Sequence, residues 1–81
     1  MVYYVALPFT QVDGGLAPGE AVECPHSAAA IWRAEALSRE SRYAGAVAFS
    51  RSGDPDPGEY QDAVILGCFG EVPKDIRCRR T

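Results

Sequence analysis

The segment 46–70, Ala-Val-Ala-Phe-Ser-Arg-Ser-Gly-Asp-Pro-Asp-Pro-Gly-Glu-Tyr-Gln-Asp-Ala-Val-Ile-Leu-Gly-Cys-Phe-Gly, constrains the fold more than any other. Two apolar runs flank a Pro/Gly/Asp cluster, which is a hairpin signal. Val47 and Phe49 alternate with Ala48 and Ser50 in the first run. The second run, Ala63 to Phe69, is apolar at successive positions, as a central strand covered on both sides would be. Between the runs, Asp54 and Asp56 each precede a proline and are biased to extended backbone. Pro57-Gly58 fits the centre of a type II turn.

The chain before this hairpin reads as strand, strand, helix. Val2 to Phe9 alternates, with Tyr3, Val5, Leu7 and Phe9 on one side and Tyr4, Ala6 and Pro8 on the other. Pro8 has no N–H, so pairing on one side should end near it. Thr10 to Gly19 contains Asp13-Gly14-Gly15 and Pro18-Gly19, both turn signals. Glu20 to Cys24 reads as a short second strand with Val22 and Cys24 inward. Ser27 then fits the N-cap of a helix over Ala28 to Arg42, an interval without Gly or Pro. Gly45 stands where a left-handed helix cap is expected.

On that helix, Ala30, Ile31, Ala34, Leu37, Ser38 and Ser41 share one face at helical spacing. The face is small enough to lie close to a sheet. Ala28, Trp32, Ala36, Arg39 and Tyr43 fall on the opposite side. Trp32 and Tyr43 are therefore expected either to be covered by the C-terminal tail or to form an aromatic patch flanked by arginines, the composition of an interface hot spot. Trp32, Ala36, Arg39 and Tyr43 are the candidate interaction surface.

The expected fold is α+β, ββαββ, with a four-stranded sheet in the order 2-1-4-3 and one helix packed on one face. The two most apolar strands, first and last, take the centre, and Tyr4 and Ala6 fall on the face away from the helix. Residues 1–73 form a single domain, and 74–81 a flexible basic tail. With 81 residues the chain buries only about 60% of the surface its unfolded form exposes, so its core is thin. A sheet roofed on one side leaves an apolar face that is either wet or joined to a partner.

The net charge of −3 argues against a general nucleic-acid binder, which needs a basic face. The charges are segregated all the same. Residues 53–71 carry Asp54, Asp56, Glu59, Asp62 and Glu71 with no base; residues 72–81 carry Lys74, Arg77, Arg79 and Arg80 against Asp75. If the tail met the helix, these bases and Arg33, Arg39 and Arg42 would make one basic region with Trp32 and Tyr43 available for base stacking.

The three cysteines, Cys24, Cys68 and Cys78, are odd in number and widely spaced, which is no disulfide framework. Cys68 is expected as a buried thiol. Cys24-x-His26 with Cys68 and Cys78 has the ligand types of a zinc site but lacks the paired spacing. The loop Asp54 to Glu59 has carboxylates at alternate positions, yet Gly58 comes one position too early for the glycine of a calcium loop and Ile65 stands where its closing glutamate belongs. No metal, cofactor or catalytic residue is assigned, and His26 beside Cys24 in sequence does not make a catalytic pair. The start of the chain shows no basic leader, and no apolar run approaches the roughly 20 residues that span a bilayer. A reducing cytoplasm and no membrane are the expectation.

The pieces Ala-Phe-Ser-Arg and Gly-Asp-Pro-Asp-Pro-Gly-Glu-Tyr within 46–73, with the Tyr-Tyr-Val start and the Ser-capped helix, resemble a group of small bacterial proteins of similar length. No activity is attached to that group, so the resemblance implies a bacterial, cytoplasmic, single-domain protein and transfers no site residue. The functional expectation is a small non-catalytic interaction or regulatory module, either a homodimer or bound to another protein. The alternative is a nucleic-acid-binding accessory protein using the helix arginines and the basic tail.

Overall fold

A computed structural model of the chain describes residues 2–52 and 64–73. The acidic loop Asp54–Asp62, the Pro57-Gly58 turn and the 74–81 tail lie outside the described residues. The elements are β1 (Val2–Val12), β2 (Gly15–Pro18), β3 (Val22–Cys24), α1 (Ser27–Ser38), β4 (Gly45–Ser52) and β5 (Val64–Gly70). The architecture is α+β: one helix packs on an antiparallel sheet of five strands.

The sheet order is β2-β1-β4-β5, with β3 also pairing β1 on the edge that β2 occupies further along. This corrects the expected order 2-1-4-3 in two respects. First, the centre belongs to β1 and β4, paired from Val2↔Ser52 to Phe9↔Gly45, and β5 is the outer partner of β4. The reason is size. Ala46 and Ala48 are fully buried under α1, where only small side chains let a helix approach, and the more apolar β5 is mostly half-buried. Second, the segment expected as a loop holds an extra strand. β1 runs on to Val12, and Asp13-Gly14 turns it into β2 with Val12↔Gly15 as the closing pair. Gly14 takes φ 87°, the left-handed backbone such a turn requires.

Pro8 explains why β2 and β3 are separate pieces. Its carbonyl accepts the Gly19 N–H at 2.8 Å, so its missing donor faces the β2/β3 edge. β3 pairs Tyr4 to Ala6, β2 pairs Phe9 to Val12, and the break falls at Pro8. The ladder to β4 on the other side is uninterrupted, and Phe9 O receives the Ala44 N–H at 2.8 Å there.

The face that the helix covers is also the reverse of the expected one. The core comprises Ala6, Ala30, Ala34, Leu37, Ala46 and Ala48, with Tyr4, Val22, Cys24, Ile31, Leu66 and Phe69 packed against it. Ala6 and Tyr4 therefore face α1. Val5, Leu7, Phe9, Val47, Phe49 and Ile65 fall on the other face by strand alternation. The larger side chains go there because the alanine floor has no room for them under the helix. Phe9 and Val47 are nonetheless buried, and Val5, Leu7 and Phe49 are half-buried. Leu66 reaches the helix side through a register shift between Ala48 and Phe49, where β5 carries one extra residue.

The helix differs at both ends from the expectation. His26, with extended backbone, is the N-cap, and its Nδ1 accepts the Ala29 N–H at 3.1 Å; Ser27 is the first helical residue. The helix stops at Ser38 rather than Arg42. Ser38 Oγ donates to Glu35 O at 2.7 Å, and the N–H groups of Arg39 and Glu40 donate three residues back, to Ala36 and Leu37. This tightened last turn brings the chain round so that Ala44 can join β1. Gly45 is consequently no helix cap. It opens β4 opposite Gly70, and a Cβ on it would run into the backbone of Phe69 and Glu71.

Candidate functional site

α1 lies mainly over β4, with β1 and β5 to either side, and only touches β3. That offset opens a groove of about 370 Å³ along the β3 edge of the molecule. One wall is Val22, Glu23 and Cys24 of β3 with the following Pro25. The other is Ala29, Trp32, Arg33 and Ala36 of α1. Ala29, Trp32 and Ala36 fall at i, i+3 and i+7, so they form one line along the helix. Two alanines beside a tryptophan leave a hollow on either side of a projecting ring.

Trp32 is 68% exposed, far more than any other aromatic side chain among the described residues. No other described residue covers it, and the 74–81 tail lies outside the described residues. Ala36 and Arg33 are exposed as well, and Cys24 is a half-buried free thiol whose Sγ reaches Val22 O at 3.7 Å. Glu23 is exposed. Neither Glu23 nor Arg33 has an ion pair among the described residues, whereas Arg39 pairs with Glu35 at 3.5 Å and Arg42 with Glu40 at 3.0 Å.

Of the predicted surface, the structure brings Trp32 and Ala36 together in the groove. Arg39 is exposed at the helix end and Tyr43 lies beyond it, and neither lines the groove. Tyr43 is half-buried against the alanine core, with the Arg42 guanidinium 4.8 Å from its ring centre. It left the Trp32 face because the helix ended before it. The groove residues that periodicity did not single out are Val22, Glu23, Cys24, Pro25, Ala29 and Arg33. Arg33 is legible beside Trp32 only as part of a basic region, and Val22 and Cys24 only as inward strand residues; that the two walls meet depends on strand order and has no local signal.

The residues considered for chemistry are engaged otherwise. Cys68 is disulfide-bonded, which corrects the expected buried thiol and removes it as a thiolate ligand. His26 Nδ1 serves the helix cap. Cys78 lies outside the described residues. Among the described residues no helix is long and apolar enough to cross a membrane. No family model, curated protein or solved structure matches the chain.

Proposed function

We propose that the chain is a small, non-catalytic interaction or regulatory module that self-associates through the groove between β3 and α1. The observation that carries this reading is Trp32, held 68% exposed beside an open apolar hollow. An uncovered indole loses the favourable transfer of one of the largest apolar side chains. Tryptophan and arginine together are the composition of interface hot spots. The flanking alanines add no bulk that would keep a partner away.

Light scattering across a concentration series tests it, with tryptophan emission recorded in the same samples. Association should raise the mass and shift the emission to the blue as the indole leaves water. A constant monomer mass with unchanged emission would end the reading.

Nucleic-acid binding is the weaker proposal. Arg39 and Arg42 are already paired with carboxylates, which leaves Arg33 as the helix base beside Trp32 with no counter-charge among the described residues. A salt-dependent gel shift with single-stranded oligonucleotides would support it, and absence of binding at low salt would end it.

A further inference from the structure

We infer that the occupant of the groove is Trp32 of a second copy of this chain, in a two-fold dimer where each indole fills the other protomer's groove. The inference rests on the self-association reading and specifies its geometry. A two-fold contact uses the same patch twice, so that patch must carry both a projection and its receptacle. The patch here does: Trp32 projects, and Ala29, Ala36 and the β3 wall recede beside it. Laying α1 antiparallel on its copy sets the large residue of each line over the small residues of the other.

The charges fit the same arrangement. Glu23 and Arg33 line the groove on opposite walls and have no ion pair within the chain among the described residues. Two-fold docking sets Glu23 against the partner's Arg33 and Arg33 against the partner's Glu23. A contact that used the groove alone would leave this acid and base unexplained.

Joining the two sheets edge to edge is the competing way to use this side of the molecule, and the sequence of β3 opposes it. The strand has three residues, ends at Pro25, which has no N–H to give, and carries Glu23 at its centre. Two-fold pairing about Glu23 would place like charges directly opposite. Short, charged and proline-ended strands are how sheets protect an edge. Docking therefore proceeds by side chains over the edge.

Sedimentation velocity from about 1 μM to about 1 mM covers the affinities a small interface of this kind can have. Tryptophan emission is read in parallel. The wild-type chain should dimerise with a blue shift. Trp32→Ala replaces an exposed side chain, should keep its circular dichroism melt, and should be monomeric throughout. Glu23→Arg and Arg33→Glu should each weaken the homodimer at least tenfold. Mixing those two variants should restore association, because one then carries two bases and the other two acids at the reciprocal contacts. Monomeric wild type at every concentration would overturn the self-association reading and this inference together. A wild-type dimer that survives Trp32→Ala would overturn this inference and the groove as the site of self-association, whereas a dimer lost with Trp32→Ala but not rescued by mixing the charge variants would overturn the two-fold geometry alone.

Discussion

Val47→Ala tests whether the sheet face away from the helix is a true core. Val47 is 1% exposed and sits between Leu7 on β1 and Cys68 on β5 across the two ladders. The substitution removes two methyl groups, worth about 1.6 kcal/mol in transfer free energy at about 0.8 kcal/mol each. The hollow it leaves adds about 1 kcal/mol more, since neighbours relax only in part. The loss of about 2.5 kcal/mol compares with a total stability of about 4–12 kcal/mol for a chain of this length. It should lower Tm by about 10–20 °C. Val64→Ala is the matched control: the same chemistry on β5 at a site 60% exposed, with a change of about 0.5 kcal/mol or less. Urea unfolding followed by circular dichroism reads both, with unchanged m-values confirming that the folded states are comparable. Equal, small losses in the two variants would refute the claim that this face is packed.

Three further outcomes follow from the same structure. Gly45→Ala should cost about 3 kcal/mol or more, because the new methyl meets the backbone of Phe69 and Glu71 rather than a side chain that can swing away; a melt within a few degrees of wild type contradicts that contact. His26→Ala should cost about 1 kcal/mol through the orphaned Ala29 N–H, and His26→Asp should restore most of it, both read by thermal melts. Reductant should lower stability by about 2–4 kcal/mol through the Cys68 disulfide. Alkylation followed by peptide mass mapping should label Cys24 before reduction and Cys68 only after it.

The sequence signals that proved legible are those set by neighbours in the chain. The helix, its small face at Ala30, Ala34 and Leu37, and strands near Val2, Val22 and Ala46 follow from local periodicity and composition. Most of what escaped depends on distant pairs. Asp13-Gly14 is itself a two-residue hairpin signal, and it is passed over because the flanking runs, Thr10 to Val12 and Gly15 to Pro18, are short and weakly apolar; the pairs Val12↔Gly15 and Gln11↔Leu16 show the turn it makes. Hydrophobicity ranked β5 as central, yet β4 won the centre because the helix demands small residues beneath it. The same misjudged criterion reversed the faces of β1: the side richer in large residues was given to the helix, and the helix took the side of Ala6. Gly45 was readable as special, but a helix cap and a strand crossing call for the same residue.

Size, then, rather than hydrophobicity sorted the two faces, and the consequence reaches the groove. A core of alanines holds α1 low over β4, and a helix seated there does not extend over a strand on the far side of β1. β3 is that strand, held to β1 by the pairs Tyr4↔Cys24, Val5↔Glu23 and Ala6↔Val22 and free on its outer side within the sheet. The gap between them is thus a product of the alanine floor. Enlarging that floor, as in Ala48→Val, would raise the helix, widen or close the hollow under Trp32, and weaken self-association without touching any residue of the groove. Sedimentation of Ala48→Val beside an exposed-site control such as Val12→Thr separates the two cases. Dimerisation unaffected by a helix shift, with stability lowered by the about 1–3 kcal/mol that overpacking costs, would break the link between the core and the surface.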